Sequence, residues 1–262
     1  MIGNGIETKI GADARTCLVK ARHQAELISR SLEFRKFEKG VFERFPWRRS
    51  LGPDVIERDY LRVVDHHLKH LIPQMRHYVQ PDTRRVLDFG CGSGGSAIAL
   101  ALVYPEISCW GTDIDAEEIS VARERAELYG VADRCKFFTV DRGEPLPFEN
   151  GSFDYCQCSS VLEYVVDADI RRFCIREMIR AVALDGLLFF SVPNRVYPFE
   201  VHTRKWGWNY FPEKYKAGIV DSSFWEVRRL ARPTELTLYR TPVVQLFKPW
   251  SNFCVRRKLN EA

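Results

Sequence analysis

This chain contains no run approaching the ~20 consecutive apolar residues that span a bilayer, so no transmembrane anchor is expected. Its first residues, "MIGNGIETKIGADARTC", hold no apolar signal core. Charge of one sign is scarce in net terms. The 39 basic and 35 acidic residues leave +4, too little to argue for nucleic acid. No C-x-x-C pair occurs among the eight cysteines, so a zinc ribbon is unsupported. Internal repeats and low-complexity tracts are absent as well. These absences leave a cytoplasmic globular chain with reduced cysteines as the expectation. Cys156 and Cys158, the one close pair, fall on one face of an apparent strand as small buried residues.

What is there fits an ordinary globular protein. Hydrophobic residues make up 45% and charged residues 28% of the 262 positions, enough for one large α/β domain with appendages. Residues 1–84 are expected to form a helical cap. "ARTCLVKARHQAELISRSLEFRKF" mixes apolar and charged residues without Gly or Pro. Val55, Tyr60, Val63, Val64, Leu68 and Leu71 recur at near-helical spacing, with Pro73 kinking or ending that helix. From residue 85 strand and helix patterns alternate. The strands are "RVLDF", "SCWGTDI", "CKFFTV", "FDYCQCS" and "LLFFSV", and helices start near Ser96, Ala116 and Asp167. Asp115 with Glu118 makes a capping box for the second helix. Gly186 is expected to close the third helix. Such alternation implies right-handed crossovers and a mostly parallel sheet. Residues 193–219, rich in aromatics, Pro and Gly, suggest a segment covering a site. "ELTLYRTPVVQLF" follows as late strands. The tail "KPWSNFCVRRKLNEA" suggests a partly packed terminus with a solvated end, or alternatively membrane-surface contact.

The informative stretch is "VLDFGCGSGGSAIALA", residues 86–101: an apolar strand, an acid, a glycine-rich turn and a small-residue helix. Gly90, Gly92 and Gly95 spell G-x-G-x-x-G, the dinucleotide fingerprint. A helix N-terminus beside such a turn offers free N–H groups and a positive dipole end. Asp88, however, stands two positions before Gly90, and its carboxylate repels a pyrophosphate. It suits instead a ligand carrying an ammonium or sulfonium group.

Asp88-Phe89-Gly90-Cys91-Gly92-Ser93-Gly94 resembles the first motif of the class I S-adenosylmethionine-dependent methyltransferases, an acid followed by G-x-G-x-G. "CWGTDIDAEEISVAR" is similar to their second motif. Asp113, 19 residues after Gly94, then accepts hydrogen bonds from the ribose hydroxyls, and Ile114 lies against the adenine. "FFTVDRGEPLPFENGSFD" supplies the family's acid after the third strand as Asp141, with Arg142 beside it. In "CSSVLEYV" the backbone near Ser159 flanks the cofactor. The resemblance covers residues 84–194. It implies a Rossmann-like, mostly parallel seven-stranded sheet with helices on both faces, an N-terminal helical cap over 1–84 and a methyltransferase domain over 85–262.

The implied cofactor is S-adenosyl-L-methionine. The implied reaction is methyl transfer to a hydroxyl of a small molecule, a lipid-linked molecule or a sugar, with no nucleic-acid partner and peripheral membrane contact compatible with it. An NAD(P)-dependent oxidoreductase using the literal G-x-G-x-x-G, and a cofactor-binding scaffold without chemistry, are the alternatives. For the acceptor's proton, His202 oriented by Glu200 is the first candidate base. Glu163 is the second, in a position where the family often has Glu-His; here Tyr164 replaces the histidine. His66 and His70 of H-H-x-x-H share a helix face, yet no carboxylate or cysteine cluster accompanies them, so no metal is assigned. Trp206, Trp208, Tyr210 and Phe211 are candidates to line an acceptor pocket.

Overall fold

The computed structural model describes residues 4–44, 63–194, 197–200, 205–207, 210, 227, 236–240 and 250–258. The chain divides into two compact units, residues 1–139 and 140–262.

In the first unit, helices α1 (Asn4–Ser29), α2 (Leu32–Arg44), α3 (Val63–His70) and the single turn α4 (Ile72–Met75) precede the sheet. The stretch 14–37 is helical as expected, with one break at Arg30 and Ser31. Ser31 causes the break: its hydroxyl accepts from the Phe34 N–H at 3.1 Å and starts a new helix. Pro73 likewise sits in the first turn of α4, where its missing N–H is harmless. Of the expected second cap helix, residues 54–62 lie outside the described residues.

Strands β1 (Arg85–Phe89), β2 (Ser108–Asp113) and β3 (Cys135–Thr139) pair in parallel in the order β3-β2-β1. Two helices connect them: α5 (Gly95–Val103) and α6 (Ala116–Leu128). Helix α5 is buried along nearly its whole length and built from small residues. Gly95 shows why they are small: a Cβ there would stand 2.5 Å from Val63 Cγ2 of α3. Arg134 closes the other end of α5, donating to the carbonyls of Ala101 at 2.9 Å and Ile107 at 3.1 Å. Asp115 caps α6 through the N–H groups of Glu117 and Glu118. The reciprocal half of the expected capping box is supplied differently, because the Asp115 N–H donates to Asp113 Oδ1 at 3.1 Å.

In the second unit, β4 (Phe153–Ser159) pairs in parallel with β5 (Val182–Pro193), joined by α7 (Ala168–Ala181). Two very short strands, β6 (Phe199–Glu200) and β7 (Lys205–Trp206), form a hairpin; β8 (Leu236–Arg240) and β9 (Trp250–Arg257) follow. The order is β4-β5-β9-β8, the last two antiparallel. Asp167 caps α7, as its position predicted. One expectation is corrected here. Helix α7 ends at Ala181, so Gly186 lies inside β5 rather than at a helix terminus. A Cβ on Gly186 would meet Val182 Cγ1 at 2.6 Å and the Asp154 carbonyl at 2.9 Å, so glycine there permits close packing against β4. The C-terminal tail is packed as far as Arg257, and Lys258 beyond it is exposed. The tail forms β9 along β5, with Phe253, Cys254 and Val255 buried and Phe253 stacked on Phe190 at 5.2 Å. Burying side chains of this size stabilises a fold by roughly 1.5–3 kcal/mol each.

The two units thus carry the expected mostly parallel, Rossmann-like α/β architecture. Among the described residues, no helix is long and apolar enough to cross a membrane.

Candidate cofactor site

The glycine turn joins β1 to α5. Gly90, Gly92 and Gly94 all adopt positive φ, at 70°, 49° and 79°, a region that costs other residues strain. The turn is tied to β2, because the N–H groups of Gly90 and Cys91 both donate to the Thr112 carbonyl, at 2.8 and 3.0 Å. Gly94 N–H closes the turn onto the Cys91 carbonyl at 2.9 Å.

The glycines divide by what surrounds them. Among the described residues, a Cβ on Gly92 would meet nothing within 4 Å. A Cβ on Gly94 would stand 2.9 Å from Ala122 Cβ and from Phe137 Cζ. Gly92 therefore borders open space in which a ligand can approach the backbone, and Gly94 lets the turn press onto α6 and β3. The Cys91 side chain is buried, and a Cβ on Gly111 of β2 would lie 2.7 Å from its sulfur. Burial, then the nearby Asp88 and Asp113, push the Cys91 thiol well above its ordinary pKa. It is a neutral packing group, and only its backbone is available to a ligand.

Two carboxylates flank the turn. Asp88 is buried at the end of β1 and accepts from Ser96 Oγ of α5 at 2.5 Å. Asp113, at the end of β2, accepts from the Gly92 N–H at 2.8 Å through Oδ2 and from the Asp115 N–H through Oδ1. Each oxygen retains a further lone pair for a ligand hydroxyl. Ile114 next to it is 53% exposed, a large apolar side chain left open beside the carboxylate. A turn lined by two acids is hostile to a pyrophosphate and hospitable to a cation, as Asp88 suggested.

The turn also has a support that its sequence does not announce. Arg125 of α6 is fully buried, and its Nη1 donates to the Ser93 carbonyl. The available signal was a charged residue on the buried stripe of Ile119, Ala122 and Ala126.

In the second unit, Asp141 and Arg142 are exposed just beyond the residues of β3. Ser159 ends β4 with its hydroxyl buried, and Ser160 after it takes a φ of 57°. Glu163 lies fully buried in the 3-10 turn Leu162–Tyr164. Burial, partly offset by a hydrogen bond to its own backbone, pushes its carboxyl pKa up to about 8. Tyr164 is exposed. Glu200 belongs to β6, while His202, Trp208 and Phe211 lie outside the described residues. Trp206 and Tyr210 are exposed, and Trp206 packs edge-on against Phe199 at 5.5 Å. His66 and His70 do share a face, with rings 4.6 Å apart.

Comparison with known proteins shows what the chain is similar to. Residues 86–186 match the family model of a methyltransferase domain. Over 100 residues the chain is 34% identical to ajmaline N-methyltransferase of Rauvolfia serpentina, covering 38% of this chain and 33% of that protein. Over 154 residues it is 29% identical to the ubiquinone biosynthesis O-methyltransferase of Pectobacterium carotovorum, covering 58% of this chain and 59% of that one. These matches span between a third and three fifths of the relatives' lengths. A solved SAM-dependent methyltransferase of Methanosarcina mazei shares the fold, with a TM-score of 0.51, 21% identity, and coverage of 72% of this chain and 98% of that one.

Proposed function

We propose, from the premise that residues 86–186 are a class I S-adenosylmethionine-dependent methyltransferase domain, that this protein methylates a hydroxyl of a small molecule, a lipid-linked molecule or a sugar. The observation that carries the cofactor assignment is the open space off Gly92 beside two carboxylates. The similar proteins whose names specify small acceptors favour a small acceptor here. The O-methyltransferase spans more of this chain than the N-methyltransferase does, which favours oxygen as the attacked atom.

The residues take the following roles in this reading. Asp113 accepts from the ribose hydroxyls, and Asp88 faces the positive methionine end. The backbone of Gly90, Cys91, Gly92 and Gly94 lies along the methionine part. Ile114 covers an adenine face, and Asp141 with Arg142 holds the adenine edge. Ser159 flanks the cofactor through its backbone. The cofactor supplies an electrophilic methyl group on a sulfonium. The chain then has three tasks: to align the acceptor, to exclude water and to take up the hydroxyl proton.

His202, oriented by Glu200, is the proposed base. A second reading has support of its own: Glu163, buried and with a pKa of about 8, is a carboxylate of unusual basicity in the turn after β4. The experiment is incubation with S-adenosylmethionine and a panel of hydroxylated acceptors. The reading expects acceptor-dependent release of S-adenosylhomocysteine and one added methyl in the product's mass. Reduction of NAD(P) by an alcohol would instead identify an oxidoreductase. Cofactor binding without transfer to any acceptor would identify an inactive scaffold.

A further inference from the structure

We infer that Arg125 is a positioning residue for the cofactor turn, and that through Phe37 it makes cofactor affinity depend on the N-terminal helix α2. The inference rests on the cofactor reading above.

Helix α6 presses the turn at two successive points. Ala122 lies beneath Gly94, at 2.9 Å from where a Cβ would stand. One turn further along α6, Arg125 reaches the Ser93 carbonyl. From the opposite end of the turn, Asp113 holds the Gly92 N–H at 2.8 Å. The segment between these grips is Gly92-Ser93-Gly94, with glycines at positive φ on either side of one serine. Such a segment has little rigidity of its own. The peptide unit from Ser93 to Gly94 is the part free to rotate, exchanging the directions of its C=O and N–H. Arg125 holds the carbonyl towards α6, while the Gly94 N–H of the same peptide bonds to the Cys91 carbonyl at 2.9 Å. Together these bonds fix the turn before a ligand arrives.

A guanidinium is a costly choice for plain packing. Burying the charge loses its hydration, and an apolar chain of similar length would fill the space. Here the charge is used twice. One N–H satisfies the buried Ser93 carbonyl, and the Cζ of the guanidinium lies over the Phe37 ring, 5.2 Å from its centroid. Phe37 belongs to α2. A second link runs in parallel: Arg44 of α2 pairs with Glu124 of α6 at 2.6 Å. The path from α2 to the ligand-facing turn is therefore Phe37, Arg125, Ser93. Displacing α2 removes the aromatic face that holds the guanidinium in place.

The test is calorimetric titration of S-adenosylhomocysteine into the full chain and its variants, at a temperature where circular dichroism shows each one folded. Arg125→Met is expected to bind about tenfold or more weakly, because the turn must then be ordered by the ligand. Arg125→Lys restores the donor without the stacking plane and is expected to recover part of that loss. Phe37→Leu is expected to lose about threefold. A role in packing alone predicts a lower melting temperature with unchanged affinity in the folded protein. Arg125→Met within twofold of wild type therefore overturns the inference while leaving the cofactor reading intact. A wild-type chain that takes up no S-adenosylhomocysteine overturns both. If Arg125→Met does not fold, Arg125→Lys decides through amide exchange across residues 90–96. Faster exchange there, with the rest of α6 unchanged, is the expected result. Exchange and affinity both at wild-type values would overturn the inference.

Discussion

The Asp113 carboxylate and the Gly92 N–H are joined by a 2.8 Å hydrogen bond, across 21 residues of sequence. The acid at the end of one strand thus shapes the turn at the end of its neighbour, and in the proposed function it also binds ribose. Asp113→Ala removes both contributions. Hydrogen bonds to a charged acceptor are worth about 1.5–3 kcal/mol, so S-adenosylhomocysteine affinity should fall by roughly tenfold to a few hundredfold. Asp113→Asn retains one acceptor oxygen for the two N–H groups now served, and should lie between. Titration of both variants checks the order.

Gly92 and Gly94 should respond to alanine to different degrees. At Gly94 the new methyl would stand 2.9 Å from Ala122 Cβ and Phe137 Cζ at a φ of 79°. Overpacking and backbone strain each cost about 1–3 kcal/mol, so Gly94→Ala should lower the denaturation midpoint markedly. At Gly92 the methyl enters open space. Gly92→Ala carries the backbone strain of its φ of 49° without overpacking, so it should lose less stability than Gly94→Ala and lose ligand affinity as well. Equal stability losses in urea titrations would contradict the division.

Glu163 should impose a pH dependence on stability. Its carboxyl titrates near pH 8 when folded, against 4.5 as the ordinary value. Between these values the folded state holds a proton that the unfolded state has lost. Stability contributed by the protonated acid is complete below about pH 4.5 and declines as pH rises through about 8. The slope is about 1.4 kcal/mol per pH unit. Glu163→Gln should flatten this part of the profile. A wild-type curve parallel to the variant's from pH 5 to 8 would show an ordinary carboxylate.

The same value separates the two candidate bases. If His202 takes the proton, activity should rise through about pH 6.5, the ordinary histidine range. His202→Gln should then lower single-turnover methyl transfer by about 10²–10⁴-fold. If Glu163 takes it, activity rises nearer pH 8, where the carboxylate forms. A His202→Gln rate within threefold of wild type moves the role to Glu163, Tyr164 or water.

The sheet strands and the glycine turn were legible because their chemistry is local. Alternating apolar residues, Asp167 at a cap and glycines at positive φ all announce themselves within a few positions. The misread features depend on distant partners. Gly186 resembles a helix stop until Asp154 and Val182 are seen crowding it. The tail "WSNFCVRR" reads as partly packed, which holds, but the strand it forms is missed because the edge that accepts it is β5, some sixty residues earlier. Arg125 is missed rather than misread: its one local signal is a charge on the apolar stripe of α6, and its partners, the Ser93 carbonyl and Phe37, are distant in sequence. The break at Ser31 was visible in principle, since serine is a strong cap, but the absence of Gly and Pro around it masked the signal.

The most direct test of the cofactor assignment is one calorimetric comparison: S-adenosylhomocysteine titrated into wild type and into Gly92→Val, with NAD as the control ligand. Wild type should bind one molecule per chain and ignore NAD. Gly92→Val should keep a near-native circular dichroism spectrum and lose nearly all binding, because a branched side chain fills the open space beside Asp113. Undiminished binding by Gly92→Val, or NAD taken up in place of S-adenosylhomocysteine, would contradict the account.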